Sequence, residues 1–292
     1  MKIPSKLPDK LDSYDGMIAR NMAIEHELNL APGNFAQYMK PMGFIENYRN
    51  QAGKVDEFGN LYTERYPNVD WQDALFKDYT MSYNANINVA GGTRFVKYYA
   101  AVDFVNEGDL YREFPSGRNY NTGYAYNRIN FRSNLDFNIT KTTVFKVNLS
   151  GSNATRKSPW SNSVNSDWQI SQQWSGIYNI GPDVFLPLYA DGSWGYLPPC
   201  TNVTNSAQGI ATGGQQTVTT TRLNTDFVLE QNLDFITKGL SARGLISGDN
   251  VFVEKDRGIN DLYPPVQLKW SDPETGAVSY KQSYEQYDHY DY

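Results

Sequence analysis

The chain has 292 residues, with 26 Lys and Arg against 32 Asp and Glu, a formal charge of −6. That balance argues against a nucleic-acid binder, which needs a cationic surface to neutralise phosphates. A mean hydropathy of −0.60 leaves no apolar run near the roughly 20 residues of a membrane-spanning helix, although a β-barrel, whose strands alternate lipid-facing and lumen-facing side chains, passes that filter. Aromatic residues make up 14% of the chain, which favours β structure, aromatic-lined surfaces or membrane girdles. Cys200 is the single cysteine, so neither an intrachain disulfide nor a cysteine-based metal site is possible. Met1 to Lys10 reads MKIPSKLPDK and lacks the apolar stretch of an export signal.

Residues 1–79 read as a helical and looped lead-in. From Asp12 to Leu28, Met17, Ile18, Met22, Ile24 and Leu28 fall on one side at a 3.6-residue period, with Ser13 or Asp15 as the cap. A short turn of helix is expected over Asn34–Met39, stopped by Pro41, and another over Trp71–Lys77; Gln51–Asn68 reads as loop. No helix is expected further on.

At Met81 the period becomes two. Tyr83, Ala85, Ile87 and Val89 alternate with asparagines, and Val96, Tyr98, Ala100, Val102 and Phe104 resume after Gly91-Gly92-Thr93. A two-residue turn at Gly92-Thr93 pairs Val89 with Val96 and Ile87 with Tyr98. A second hairpin turns at Thr140-Lys141-Thr142 and sets Phe137 opposite Phe145 and Leu135 opposite Val147; a third turns around Thr237-Lys238. The connections between hairpins are long, about 107–121, 154–217 and 254–276. Short turns at one end and long loops at the other are the pattern of outer-membrane barrels, and Phe95, Phe137, Phe145 and Phe235 near the turns suit a girdle. A soluble sheet with one wet face gives the same alternation, so periodicity leaves both open.

Several segments carry a family resemblance. Tyr66-Pro67-Asn68-Val69-Asp70-Trp71, then Asn88-Val89-Ala90-Gly91-Gly92-Thr93, then Tyr98-Tyr99-Ala100-Ala101, and Tyr126 to Asp136, occur in an order that resembles the SusC/RagA family of TonB-dependent outer-membrane transporters. The likeness runs from about Asp12 to Asn153 and is architectural beyond Ala154. It implies an all-β fold, six or seven strands of a large transmembrane barrel over 80–292, and a chain that is a fragment lacking the family's signal peptide, TonB-contacting segment and plug. The activity implied is import of oligosaccharides or peptides across the outer membrane with a SusD-like lipoprotein lid and the TonB complex, transport without chemistry on the substrate and without a cofactor. A partial barrel by itself is expected not to transport, because open edges leave backbone groups unsatisfied in lipid.

Trp160, Trp168, Trp174 and Trp194 in the longest connection are candidates to stack on a sugar ring, against the plainer alternative that they pack the loop onto itself. Arg128, Arg132, Asp136 and Arg222 are candidates to face the lumen, where they either line a passage or solvate a polar wall. His26 and His289 stand at opposite ends of the chain, which disfavours a catalytic triad or histidine metal site; a glycosidase would have to rest on Asp103, Glu107, Asp226 or Glu254. The alternative to a transporter fragment is a soluble, aromatic-rich β-sheet module that binds carbohydrate.

Overall fold

The computed structural model describes residues 7, 9–30, 35–49, 53–115, 122–160, 179–198, 203, 205–259, 266–283 and 289–291, with the backbone alone for 160, 257–259, 266, 283 and 289–291. Six long strands form an antiparallel meander: β1 (Ser82–Gly92), β2 (Val96–Glu107), β3 (Ala125–Asn138), β4 (Thr143–Trp160), β6 (Gly214–Asn232) and β7 (Ser241–Ile259). The fold class is all-β, as expected, with the short turns at one end of the sheet and the long connections at the other. The seventh strand is divided. Within 277–292, β9 (Val278–Ser283) joins a separate three-stranded sheet with β5 (Trp194–Gly195) and β8 (Val266–Ser271), while β10 (His289–Asp291) pairs with the last three residues of β7.

The first hairpin corrects the expected register. Val89 lies opposite Ala100 and Ile87 opposite Val102, because the chain reverses at Arg94-Phe95 and not at Gly92-Thr93. The Thr93 hydroxyl accepts from the N–H groups of Phe95 (3.2 Å) and Val96 (3.3 Å), which fixes the turn further along. The shift is four residues, an even number, so the apolar side chains still share one face. In the second hairpin Phe137 pairs with Phe145 and Leu135 with Val147, as the turn predicts.

The long strands overrun the loops assigned to them. β4 continues to Trp160 and β6 begins at Gly214, so the connection expected over 154–217 is shorter, and 254–276 holds the end of β7 and all of β8. Helices also depart from expectation. In α1 (Ser13–Leu30) the buried residues are Ser13, Tyr14, Met17 and Ile24, whereas Met22 is exposed. Its first turn is capped by Asp12, whose carboxylate accepts from the Asp15 N–H at 2.7 Å; the Ser13 hydroxyl instead donates to the Pro67 carbonyl. The segment after it holds α2 (Met42–Ile45), α3 (Tyr62–Arg65) inside the stretch read as loop, and α4 (Trp71–Leu75), capped by Asp70 through the N–H groups of Gln72 and Asp73. A later helix, α5 (Ser206–Thr212), was not expected; Asn205 caps it and it buries Ala207, Ile210 and Ala211.

The packed core lies outside the long sheet. Val69, Trp71, Leu75 and Phe76 of the lead-in cluster with Tyr111 of the β2–β3 connection, Ile180, Phe185 and Trp194 of the β4–β6 connection, three residues of α5, and Leu268 of β8. A second cluster joins Tyr14 and Met17 to Ile45, Tyr48 and Tyr66. Since β1 starts at the long-loop end, the lead-in and the long connections fold together there as a cap on the mouth of the sheet.

Candidate functional site

The two faces of the sheet differ in chemistry. Reading across the strands, one face carries Val96, Phe137, Phe145 and Leu229 in the row nearest the short turns, then Tyr98, Leu135, Val147 and Phe227, then Val89, Ala100 and Leu149 interrupted by Ser133 and Thr225, then Ile87, Val102, Phe131 and Leu223, then Phe104 and Ile129 in a row that turns polar at the hydrogen-bonded pair Asn153 and Thr221. Polar rows bound this band at both ends. Towards the short turns the Thr143 hydroxyl donates to Gln231 Oε1 at 2.6 Å; towards the cap, Asn106 donates to Asn127 at 2.6 Å in a row that continues with Thr155, Thr219 and Glu254. Phe137, Phe145 and Phe227 stack in sequence at 6.5 and 6.3 Å near the turns. The Phe131 ring lies over Gly151, where a Cβ would meet it at 2.6 Å and the Arg222 carbonyl at 2.7 Å, so glycine is required for the ring to lie flat on its neighbour. Among the described residues no second layer covers this face: Ile87 is 77% exposed, Val102 51% and Ile246 74%.

The opposite face is mainly polar over β3 and β4, carries Val228 on β6 and Leu245, Val251 and Val253 on β7, and holds all four residues expected to face a lumen. Arg128, Arg132 and Asp136 alternate along β3, and Arg222 lies on β6, separated from them by β4. Asp136 sits between Lys97 and Lys146 in the register, and Lys146 pairs with Glu230 at 2.8 Å, so the end of this face near the short turns is a cross-strand charge ladder. Asn130 donates to Asp103 at 2.7 Å. The carboxylates considered for glycoside hydrolysis are not gathered: Asp103 and Asp226 are three strands apart, and Glu254 is in register with Thr219 on the other face.

Ion pairs between distant segments bind the cap. Arg65, 6% exposed, donates to Asp56 (3.2 Å) and Glu57 (3.1 Å), and also to the carbonyls of Pro273 and Glu274 in the β8–β9 turn. Gly276 in that turn adopts φ +73, and a side chain there would strike the Phe58 ring at 2.7 Å. Lys269 on β8 contacts Glu64 at 2.8 Å and Asp191 at 3.4 Å and lies over the Tyr189 ring at 4.8 Å. Arg20 of α1 forks onto Asp183 at 3.0 and 3.3 Å, and Lys40 pairs with Glu274.

The titration directions match these roles. Burial works to raise the Asp56 carboxyl, but hydrogen bonds from Asn60, Phe58 and Arg65 outweigh it and hold the group below the usual carboxylate range. Asp191 is likewise held low, burial being outweighed by Ser193 and Lys269. Burial pulls Lys269 down, yet Glu64 and Asp191 more than restore it, so it stays protonated. Asp109 moves the other way, raised by burial despite accepting from the N–H groups of Tyr111 and Tyr124. Asp56 with Arg65, and Asp191 with Lys269, thus hold one another in their charged forms and clamp loops together. No local pattern marks these clamps in the sequence, since their partners lie up to 234 residues apart.

Trp194 is buried at 5% and packs edge-to-face on Phe114 at 6.0 Å, so it belongs to the core of the cap and presents no open face to a sugar. Loop self-packing is the role the structure gives it. The backbone of Trp160 ends β4; its side chain, and the whole of Trp168 and Trp174, lie outside the described residues.

This arrangement defines an antiparallel wall with one apolar and one polar face and a packed cap at one end. Among solved structures the chain is similar to that of the RagAB peptide transporter, at 19% identity and a TM-score of 0.48, over 78% of this chain and 24% of that one. It is similar also to the RagAB peptide importer in its closed-closed state, with the same identity and score, over 75% of this chain and 23% of that one. The chain therefore spans about a quarter of the length of the chains it matches. No family model and no curated protein matches it.

Proposed function

We propose that the chain forms part of the wall and mouth of a large outer-membrane β-barrel of the SusC/RagA type, which imports oligosaccharides or peptides. The observation that carries this reading is the apolar band, open on its outer side and bounded by polar rows above and below. On β2 and β3, five rows two residues apart span about 27 Å along the strands. At a barrel tilt of about 40° that is roughly 20 Å of height, near the apolar band of outer-membrane barrels. The polar face then lines the lumen with Arg128, Arg132, Asp136 and Arg222, and the cap lies on the extracellular side. The outer edge of β1, and that of β7 before Arg257, carry no partner strand among the described residues, so closure requires further strands at both edges.

In this reading the chain acts by transport and not by catalysis. A SusD-like lipoprotein covers the mouth, and TonB delivers energy through a segment outside this chain. A soluble carbohydrate-binding module is the weaker alternative, because a soluble sheet would bury its apolar face under a second layer. The test is cysteine labelling in intact outer membranes with Cys200 replaced by serine. Cysteines at Val102, Phe131 and Leu223 should react only with a lipid-phase reagent, and those at Asn130, Arg132 and Ser152 only with a water-soluble one. Equal aqueous labelling of both sets would overturn the reading.

A further inference from the structure

Part of the polar face gathers three arginines around small side chains. On the three adjacent strands β3, β4 and β6, the register gives a block of nine positions: 128, 130 and 132; 154, 152 and 150; 220, 222 and 224. Three of the nine are arginines, Arg128, Arg132 and Arg222, and none is a carboxylate, whereas the chain as a whole is at −6. From strand spacing, each arginine Cα is about 12 to 14 Å from the other two. The middle strand contributes only Ser150, Ser152 and Ala154, so small side chains floor the triangle and the three guanidinium groups can reach inward over it. Among the described residues none of the three arginines makes an ion pair, and Arg128 Nε is buried with no acceptor. By contrast, Lys146 and Arg243 near the short turns of the same face are both paired with Glu230. Three carboxylates border the block on this face: Asp103 lies opposite Asn130 and accepts from it, Asp249 lies opposite Asn224 on β7, and Asp226 is the next position beyond Asn224 on β6.

We infer that this block is a binding site for the carboxylate groups of an acidic oligomeric solute passing along the wall. Guanidinium groups recognise carboxylates through parallel N–H donors, and the hydroxyl and amide groups of Ser152 and Asn130 can donate between them. A cationic patch on a wall shielded from bulk water holds such a solute more strongly than an exposed one. The inference rests on the assignment of the polar face to the lumen.

The test is equilibrium binding to the full-length protein in detergent micelles, using tetraglutamate and trigalacturonate as acidic probes and tetraglutamine and methyl-esterified trigalacturonate as neutral ones. At least one acidic probe should bind roughly tenfold or more tightly than its neutral counterpart. The preference should shrink as ionic strength rises from about 0.01 M to 1 M, where screening shortens from about 30 Å to 3 Å. Which acidic probe is preferred identifies the solute as peptide or glycan. The combined substitution of Arg128, Arg132 and Arg222 by Gln should abolish the preference, Arg132→Gln alone should reduce it, and Arg243→Gln should leave it unchanged. Equal binding of acidic and neutral probes to the unmodified protein, or an equal loss in Arg243→Gln, overturns the site. If lipid-phase labelling of Val102 and Phe131 persists in that case, only the anion site fails; if that labelling is aqueous, the wall reading fails as well.

Discussion

The wall and the cap use apolar side chains in opposite ways. In the cap, Leu75 and Phe185 are fully buried, and residues from five separate stretches of chain close around them. In the wall, Val102, Ile87 and Ile246 are as apolar but stand open on one face while backbone hydrogen bonds hold the strands. The cap is a core of the kind water creates, and the wall is a surface suited to lipid. In the proposed barrel one chain carries two solvents' rules, divided at the row Asn106, Asn127, Thr155 and Thr219.

The sharpest way to break the contrast is to remove volume from the cap. Leu75→Ala should cost about 2 to 5 kcal/mol of cap stability. Limited proteolysis should then cleave within 53–77 while the hairpins stay protected; loss of both together would show that the two regions form one cooperative unit. Next comes Val102→Arg in the middle of the apolar band. In a bilayer it should cost about 2 to 4 kcal/mol, measured by denaturant titration in liposomes, although in water a half-exposed Val would tolerate the change. Gly151→Val pushes against the Phe131 ring and the Arg222 backbone and should cost about 1 to 3 kcal/mol, lowering the denaturant midpoint, with Ser150→Val as the comparison on the polar face.

Acidification should separate the regions more gently. Asp56 and Asp191 are held below the ordinary carboxylate value, so their contribution to the cap is present above about pH 4 and is lost as pH falls through their lowered values. Asp109 is raised, so its protonation on acidification relieves a cost and partly opposes that loss. Amide exchange below pH 4 should therefore accelerate first at 56–65 and 189–193, while β3 and β4 remain protected. The smallest effect expected is that of Asp70→Ala, which removes the α4 cap and an ion pair with Lys10, at about 1 kcal/mol in the same exchange measurement.

The wall was readable because period two and turn residues are local properties. Phe137 opposite Phe145 follows from three residues at Thr140 to Thr142, and the polar alternation places Arg128, Arg132, Asp136 and Arg222 on one face whatever the exact turn. The first turn was misplaced because Gly92 is a strong local signal, whereas the two N–H groups that the Thr93 hydroxyl accepts lie beyond it. The cap was scarcely readable. Trp194 looks in sequence like a ring available for stacking, and only Phe114, eighty residues earlier, shows it to be packing. Likewise α3 is four residues long with no side-chain cap, and α5 is seven residues marked in sequence by the Asn205 cap alone; both depend on packing, which buries Arg65 and Ile210.

The bonds from Arg65 to Pro273 and Glu274 close a circuit of 208 and 209 residues, whereas each hairpin joins neighbours along the chain. Loop closure over that span is slow compared with hairpin formation. The order of events is thereby set: the hairpins pair first, each on local information, and the cap locks only after β7 and β8 have been made and brought back to the lead-in. The bonds from Arg65 to that turn are then a record in time as well as a contact, a fastening that can close only on a wall already built through β7, its sixth long strand.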